Sequence, residues 1–473
     1  MTDTIFALSS GKGRAGVAVV RVSGKDLCNL LYKVTTICHS GKGQSGSKKI
    51  NCKDPGPAPG LRRGRLAGLT ARYAYFTDLI DLSGDIIDKI IAIYFKAPAS
   101  FTGEDVVEFH VHGSDAVLAK LFDILKSLGA RMAERGEFAR RAFDNNKMDL
   151  IEVDGLAALI DSRTEQQRRA ALRTAAGADS DTYMRWRQEM IDIAAYSAAM
   201  LDYPDEELPE NIGEKLATRT QKLYDELSVA LSRAGAARAV RSGFNIALVG
   251  DVNAGKSSLF NAIVGESRAI VSDIAGTTRD VISAEIDMDG YLVRLLDTAG
   301  LRETTDAIEN MGIERTNKEI ENADLILRVR SKELGVRNDN ELTVYNKSDL
   351  IKYDSSLLTP YSLLVSAKTG DGIPELLDLI KTEVHARLAQ SESDVVVNER
   401  TKGLLTDAAN ELKLVLVGVG SSDPSGGETP PLHNPELFAE HVNAAADKIG
   451  AALGVIGIDE IMDATFGQLC LGK

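Results

Sequence analysis

Cysteine, tryptophan and long apolar runs are scarce in this chain of 473 residues. The four cysteines are Cys28, Cys38, Cys52 and Cys470, and no two of them have the C-x-x-C spacing typical of a structural zinc site. So few cysteines favour free thiols in a reducing compartment. No stretch approaches the roughly 20 apolar residues that a transmembrane helix needs, and the N-terminal segment lacks a secretory signal. These absences predict a cytoplasmic protein, or a stromal or matrix protein if an organelle hosts it, without a membrane partner.

Positive charge is also in short supply, since 55 Lys and Arg face 69 Asp and Glu, a net charge of −14. Neutralisation of phosphates by basic side chains drives binding to nucleic acids, so this balance disfavours tight binding by the isolated chain. If the substrate is a nucleic acid, we expect local basic patches or a basic partner. The segments RMAERGEFARRAF and LRRGRLAGLTARY could contact RNA, or they could be ordinary solvated surface.

The first part of the chain, residues 1–118, has the pattern of β-strands. Short β-branched runs such as GVAVVRVSG and KIIAIYFKAP are bounded by Gly or Pro. In VVEFHVHG the alternation places Val107, Phe109 and Val111 towards a core and Glu108 on the opposite side. His110 and His112 share that side, but this spacing alone guarantees too few ligands for a metal site.

The rest of the chain alternates between two patterns. Helical spacing of apolar residues covers 119–242 and 386–473, whereas 243–385 alternates strands and helices, which predicts a parallel sheet with crossover helices. One discontinuous helical domain with an inserted α/β domain is the simplest interpretation, because domain termini tend to lie close together. Two separate helical domains are the alternative, although the trailing segment is short for a core of its own.

A phosphate-binding motif opens the α/β part. FNIALVGDVNAGKSSLFNAI is a buried strand, then G-x-x-x-x-G-K-S, then a helix. Gly250 and Gly255 let backbone N–H groups surround a phosphate, Lys256 reaches the β and γ oxygens, and the Ser257 hydroxyl binds Mg²⁺. The helix that follows directs its positive end at the phosphates. Its strand-and-helix context sets this match apart from a chance one.

Further motifs follow in the order typical of GTPases: AGTTRD, DTAG, NKSD and SAK. Asp349 of NKSD can accept hydrogen bonds from guanine N1–H and the 2-amino group, a pair of donors that adenine lacks. The motifs therefore predict a site for GTP. The predicted GTP-binding residues are Asn253, Ala254, Gly255, Lys256, Ser257, Ser258, Ser272, Asp273, Ile274, Ala275, Gly276, Thr277, Thr278, Asp297, Thr298, Ala299, Gly300, Asn346, Lys347, Asp349, Ser366, Ala367 and Lys368.

The residue after DTAG poses a chemical question. Ras-like proteins carry a glutamine there, which orients the attacking water. This chain has Leu301, whose side chain neither donates nor accepts a hydrogen bond. Hydrolysis therefore needs groups from elsewhere in the sequence.

The combined motifs resemble a known class. G-x-x-NAGKSSL, DIAGTTRD and DTAGLRE together resemble the TrmE–Era–EngA class of GTPases, in which a hydrophobic residue replaces the glutamine. GVAVVRVSG, FTGEDVVEFHVHG, RGEFARRAFDNNKMDL and the terminal CLGK narrow the resemblance to the MnmE (TrmE) family of tRNA-modification GTPases, from about residue 4 to Lys473. The resemblance implies a multidomain α+β and α/β fold: an N-terminal β-rich folate-binding and dimerisation domain, a discontinuous helical domain, and an inserted Ras-like P-loop G domain.

The resemblance also implies an activity and partners. The protein would be a K⁺-stimulated GTPase and a homodimer, joined in a heterotetramer with an MnmG-type protein that brings FAD and NADH. Together they would modify C5 of the wobble uridine of certain tRNAs, with a tetrahydrofolate derivative (5-formyl- or 5,10-methylene-) supplying a one-carbon unit.

Individual roles carry over by motif position. K⁺ would be held by Asn253, Ser272, Ile274 and Thr277, and Mg²⁺ by Ser257 and Thr278. Glu309 would position the attacking water through a bridging water, although the residue alone could equally be a solvated surface acid. Cys470 would act in tRNA modification, or it could be a small buried side chain. The folate contacts would be Arg21, Glu108, Lys147 and Lys473.

The sequence departs from the family pattern at three positions, and it leaves two alternative functions open. Val252 stands where the family usually has proline, Ser272 where it often has threonine, and Arg330 where it has an acid. One rival is an Era/EngA-like ribosome-assembly GTPase, which would need a KH-like RNA module; the sequence has no G-x-x-G in such a unit. The other is a folate-binding scaffold whose GTP site only switches shape.

Overall fold

The computed structural model describes residues 3–37, 70–202, 212–251, 253–270, 282–297, 321–330, 341–350, 362–389, 395, 397–420 and 435–455. These residues divide into two compact units, one extending to Val153 and the other beginning at Asp154. The division falls within a helix, Leu150–Asp161.

The first unit is built on a sheet of six strands in the order β3-β4-β5-β2-β1-β6. The pairs are antiparallel except for β1 with β6, which run parallel. The strands are β1 (Ile5–Leu8), β2 (Ala15–Gly24), β3 (Ala74–Ile80), β4 (Ile86–Phe95), β5 (Asp105–Gly113) and β6 (Arg131–Met132).

One face of this sheet forms the core of the first unit. Val107, Phe109 and Val111 of β5 are at most 1% exposed, whereas Glu108 between them is partly exposed, so the predicted alternation is confirmed. Helices α1 (Leu27–Val34) and α2 (Asp115–Ser127) pack apolar side chains on this face. Burial of this apolar surface stabilises the unit by about 25 cal/mol per Å².

The helices that follow β5 also belong to the first unit. Helix α2 packs on the sheet although the predicted limit of the N-terminal domain, residue 118, falls inside it. Helix α3 (Glu137–Asp144) contributes Phe138 to a second, smaller cluster with Ile5 and Ala7. The domain limits derived from the sequence remain predictions.

The second unit contains a seven-stranded sheet in the order β13-β12-β11-β7-β10-β9-β8. Strands β13 to β10 pair in parallel along this order, while β9 and β8 run antiparallel to their neighbours. The fold class predicted for this region is therefore confirmed. The strands are β7 (Phe244–Gly250), β8 (Arg268–Ala269), β9 (Ile282–Met288), β10 (Tyr291–Asp297), β11 (Leu325–Arg330), β12 (Glu341–Tyr345) and β13 (Ser362–Leu364).

Helices cover this sheet and form a bundle of their own. Helices α8 (Lys256–Glu266) and α9 (Ile373–Leu388) pack Leu259, Ile263 and Ile380 into the core of the sheet. The remaining helices are α4 (Leu150–Asp161), α5 (Glu165–Ala175), α6 (Ala178–Asp202), α7 (Ile212–Ser242), α10 (Glu399–Gly420) and α11 (Pro435–Leu453). None of the described helices combines the length and the apolar character that crossing a bilayer requires.

Helices from before and after the sheet pack together in the second unit. Helix α6 packs against α11, and α7 against α10. Near the start of α10, Arg400 pairs with Asp154 of α4 at 2.9 Å, and Asn398 Nδ2 donates to the same carboxylate at 2.7 Å. These contacts join segments more than 240 residues apart in the sequence. They support the discontinuous helical domain predicted from the pattern of apolar residues.

Candidate functional site

The phosphate-binding motif lies at the carboxyl end of the central strand β7. A Cβ added to Gly250 would lie 2.0 Å from the carbonyl oxygen of Val329, and one added to Gly255 would lie 2.4 Å from Asn346 Nδ2. Both glycines also have positive φ, +157° and +88°. Close contact and backbone conformation therefore each require glycine here. Helix α8 begins directly after Gly255.

The lysine of the motif is anchored to the same loop. Lys256 Nζ donates to the carbonyl oxygens of Gly250 and Asp251, both at 2.9 Å. The ammonium group is thereby held at the turn where the motif places the phosphates of a nucleotide.

A hydroxyl and a carboxylate meet beside this loop. Ser257 Oγ donates to Asp297 Oδ2 at 2.8 Å, and Asp297 is 1% exposed. Oxygen ligands of this kind suit Mg²⁺, which usually retains several waters and binds phosphate oxygens as well. Within the described ranges, no group of three or more His, Cys, Asp or Glu residues is placed to hold a metal. The hydroxyl of Ser257 and the carboxylate of Asp297 supply oxygen atoms of the kind that Mg²⁺ binds beside a nucleotide.

Asn346 of NKSD, the predicted guanine-binding motif, connects three predicted elements of the site. Its buried side chain donates from Nδ2 to the carbonyl oxygens of Ala254 and Gly255, at 3.1 and 3.3 Å. Its Oδ1 accepts from the backbone N–H groups of Lys347 and Ala367, at 2.8 and 3.1 Å. The phosphate loop, NKSD and SAK are thus brought together by one amide.

The lysine that follows Asn346 also hydrogen-bonds to the phosphate loop. Lys347 Nζ donates to the carbonyl oxygen of Asn253 at 2.7 Å. Asn253 has φ +63°, a left-handed conformation that asparagine tolerates better than most residues. Its side chain is exposed. The role of Asn253 as a cation ligand stays a prediction.

The carboxylate predicted to recognise guanine is also oriented. Ser366 Oγ donates to Asp349 Oδ1 at 2.8 Å, and Ser366 is fully buried. The remaining predicted contacts in this part of the chain, Ser258 and Lys368, are exposed.

Several predicted site residues lie outside the described residues. They are Ser272, Asp273, Ile274, Ala275, Gly276, Thr277, Thr278, Thr298, Ala299, Gly300, Glu309, Cys470 and Lys473. Leu301 and Val252 lie outside them too. Their roles stay predictions.

Two residues predicted to contact folate pair with each other in the first unit. Arg21 of β2 lies directly opposite Glu108 of β5, and its Nε and Nη2 are both 3.0 Å from Glu108 Oε1. The second carboxylate oxygen, Oε2, lies 3.6 Å from His110 Nε2, which is too long for a hydrogen bond. Both members of the Arg21–Glu108 pair are only 17% exposed.

Aromatic rings complete the surroundings of Arg21. Its guanidinium carbon lies 5.0 Å from the ring centroid of Phe101 and 5.8 Å from that of Phe138, within the range of cation–π contact. Neither phenylalanine was predicted, although Phe101 opens the segment FTGEDVVEFHVHG. The predicted Lys147 is exposed, and its Cε lies 3.4 Å from the position of a Cβ on Gly103. Arg21 and Lys147 thus flank the same loop.

A network of ion pairs stabilises the loop that contains Gly103 and Glu104. Arg141 of α3 pairs with Glu104 at 2.8 Å and with Glu137 at 3.1 Å. Arg131 pairs with Glu137 at 2.6 Å. Burial would raise the pKa of Glu137, but its hydrogen bonds and the charge of Arg131 outweigh burial and lower that pKa below its usual value. Glu137 is therefore ionised at neutral pH.

Two family models match the chain and together span most of it. The model described as the MnmE helical domain matches residues 150–470. The model described as the N-terminus of the GTP-binding protein TrmE matches residues 4–147.

Curated relatives extend over the whole length. The tRNA modification GTPase MnmE of Rhizobium etli is 37% identical, with 100% of this chain and 99% of the relative covered. The protein of the same name from Roseobacter denitrificans is also 37% identical, with 100% of both chains covered.

Solved structures match a smaller part. Era from Aquifex aeolicus is 23% identical and covers 36% of this chain and 67% of its own, with a TM-score of 0.24. The G domain of FeoB from Methanococcus jannaschii is 27% identical and covers 30% of this chain and 97% of its own, with a TM-score of 0.22.

Proposed function

Since the chain belongs to the MnmE family of tRNA modification GTPases, it is a GTP hydrolase, and we propose that K⁺ stimulates this activity. We further propose that the GTP cycle drives modification of the wobble uridine at C5, with a folate one-carbon unit and an MnmG-type FAD partner. The working form would be a homodimer in a heterotetramer with that partner, in the cytoplasm, where tRNA is available.

The main observation in support of GTP binding is that side chains of the NKSD motif donate hydrogen bonds to the backbone of the phosphate loop. Three successive carbonyl oxygens, those of Asn253, Ala254 and Gly255, accept hydrogen bonds from the side chains of Asn346 and Lys347. The predicted base-recognition and phosphate-binding segments therefore belong to one hydrogen-bonded frame, which supports binding of a guanine nucleotide.

The same frame suggests how hydrolysis proceeds without a glutamine. Asn253 would hold K⁺ together with Ser272, Ile274 and Thr277, while Ser257 and Thr278 would hold Mg²⁺. A bound cation supplies positive charge at the phosphates, where an arginine finger contributes roughly 10³–10⁵ in rate in other GTPases. Glu309 would orient the attacking water. Oxygen atoms are the ligands that such cations prefer.

The first unit supports the folate part of the proposal. Arg21 occupies Glu108 Oε1, so Oε2 can accept from the N–H edge of a pterin. Arg21 and Lys147 would pair with the carboxylates of the glutamyl tail, Lys473 would lie near the pocket, and Cys470 would act in tRNA modification. The ion pairs of Arg141 with Glu104 and Glu137 hold the loop that lies beside Arg21 and Lys147.

Mass analysis of the wobble uridine tests this function. A strain lacking the protein should lose the C5 modification, and the wild-type gene should restore it. Lys256→Ala should fail to restore it because GTP turnover stops, and Cys470→Ser should fail while its GTPase activity persists. Normal modification in the deletion strain would contradict the proposal.

The two rival functions differ in measurable ways. An Era/EngA-like assembly GTPase would leave uridine modification intact and disturb ribosomal subunits, and the match of residues 4–147 to the TrmE N-terminus argues against it. A folate-binding scaffold would bind GTP without multiple turnover, so a steady-state GTPase assay in K⁺ separates it from the enzyme.

A further inference from the structure

A β-hairpin links the nucleotide site to the helical part of the second unit. Strands β9 and β10 pair from Ile282 opposite Asp297 at one end to Met288 opposite Tyr291 at the other. Seven residues of extended strand span roughly 20 Å. At the first end, Asp297 accepts the hydrogen bond from Ser257 of the predicted Mg²⁺ site.

The opposite end of the hairpin contacts the start of helix α5. The backbone N–H of Gln166 donates to the carbonyl oxygen of Gly290 at 3.0 Å. Gly290 has φ +89°, and a Cβ there would lie 3.5 Å from Gln166 Cγ. The turn of the hairpin therefore lies directly against α5.

A carboxylate in the middle of the hairpin adds a second link. Glu285 of β9 pairs with Arg163, which precedes α5, and with Arg294 of β10 at 3.1 Å. Arg294 lies directly opposite Glu285 in the strand register. One carboxylate thus connects both strands of the hairpin to the helical part.

A buried glutamine at the start of α5 also hydrogen-bonds to the segment that precedes β7, the strand that leads into the phosphate loop. Gln167 is 6% exposed, and its Oε1 accepts from the backbone N–H groups of Arg163 and Thr164, at 3.0 and 3.3 Å. Its Nε2 donates to the carbonyl oxygen of Arg241, near the end of α7, at 2.8 Å. Strand β7 begins three residues later, at Phe244. The start of α5 therefore contacts two elements that lead to the nucleotide site. One is the β9–β10 hairpin, which ends at Asp297, and the other is the end of α7, which is followed by β7.

We propose that Arg163 and Glu285 are positioning residues that couple the state of the GTPase site to helix α5. Partly exposed ion pairs contribute little to stability, so the value of this pair lies in the geometry that it imposes. Strands β9 and β10 are paired over their whole length, so we expect a displacement of Asp297 to move Glu285 and Gly290 with it. GTP and GDP shift such an element only through different affinities for its two positions. This inference rests on the proposed GTP cycle.

Hydrogen–deuterium exchange of α5 tests the coupling. We expect amides of residues 165–175 to exchange at rates that differ by about fivefold or more between the GDP complex and that of a non-hydrolysable GTP analogue. Arg163→Gln and Glu285→Gln should abolish this difference while nucleotide affinity stays within about twofold. The matched control is Arg168→Gln, because Arg168 is exposed and pairs with Glu165 on its own helix.

Steady-state GTPase kinetics and the conservative variant Arg163→Lys distinguish a coupling role from a merely structural one. Each of the two variants should lower kcat for GTP with little change in KM, and the double variant should lose no more than either single one. Arg163→Lys, which keeps the charge, should restore part of the nucleotide response and guards against misfolding of the glutamine variant.

The outcomes separate this inference from the proposed function. Identical α5 exchange in both nucleotide complexes of an active wild-type enzyme would overturn the coupling alone. A full nucleotide response in Arg163→Gln would overturn it as well, as would loss of the response in Arg168→Gln. Absence of GTP turnover in the wild type would instead overturn the proposed function.

Discussion

Arg21 and Glu108 face each other across strands β2 and β5, with two guanidinium nitrogens 3.0 Å from one carboxylate oxygen. The two residues therefore act as a unit. Arg21 is held between Glu108 and the rings of Phe101 and Phe138, and it orients the carboxylate that the folate proposal assigns to the pterin.

The first prediction concerns this pair. Glu108→Gln should weaken binding of 5-formyltetrahydrofolate by about 10- to 100-fold, because a charged hydrogen-bond acceptor is worth roughly 1.5–3 kcal/mol. Titration calorimetry measures the affinity. Asp78→Asn, which alters an exposed ion pair between Asp78 of the edge strand β3 and Lys89 of β4, should leave the affinity unchanged. Equal affinities for Glu108→Gln and the wild type would exclude Glu108 from the folate site.

The second prediction concerns acid stability of the first unit. The pKa of Glu137 is lowered in the folded state, so its contribution is fully present above the unfolded pKa of 4.5 and is lost as the pH falls through the folded value. Calorimetric unfolding should therefore show Glu137→Gln less stable than the wild type at pH 7, with the difference shrinking below about pH 4. A difference of the same size at pH 7 and pH 3 would contradict this account.

The third prediction concerns the phosphate loop. Gly250→Ala should abolish GTP binding, because its Cβ would lie 2.0 Å from the Val329 carbonyl oxygen, a contact that forces the loop to shift. The control is Gly265→Ala in helix α8, where nothing lies within 4 Å of the added Cβ. That change should stabilise the helix by up to about 1 kcal/mol and leave GTP binding intact. Fluorescent nucleotide titrations compare the two, and normal affinity in Gly250→Ala would show that the loop is not the site.

The fourth prediction concerns base selection. Asp349→Asn should lower GTP affinity by about 10- to 100-fold, since the amide offers a donor where guanine also presents donors. The same change should improve binding of XTP, whose C2 oxygen accepts from that amide. Ser366→Ala should have a smaller effect, because Ser366 only orients Asp349 through one hydrogen bond of 2.8 Å. Unaltered preference for GTP in Asp349→Asn would place the base elsewhere.

Local patterns predicted much of this fold. The alternation in VVEFHVHG correctly placed Val107 and Phe109 in the core, because strand periodicity determines which side chains share a face. The strand–loop–helix around Lys256 was equally predictable, since the chemistry of phosphate binding requires it.

Contacts between distant segments were not predictable in the same way. Arg21 and Glu108 are 87 residues apart, and their pairing depends on the register of two strands that the sequence alone does not reveal. The link from Glu285 to Arg163 spans 122 residues and depends on packing between a hairpin and a helix. The packing of α2 on the N-terminal sheet was not predictable either, because helical spacing does not show which core a helix joins.

The central proposal is that a cation held by Asn253 supplies positive charge at the phosphates, so that GTP is hydrolysed with Glu309 orienting the water in place of the missing glutamine. Steady-state GTP turnover in KCl and in NaCl, for the wild type and for Asn253→Ala, tests it most directly. We predict turnover at least about tenfold faster in K⁺ for the wild type, and the same slow rate in both salts for the variant. Equal wild-type rates in K⁺ and Na⁺, or full K⁺ stimulation of Asn253→Ala, would contradict the account.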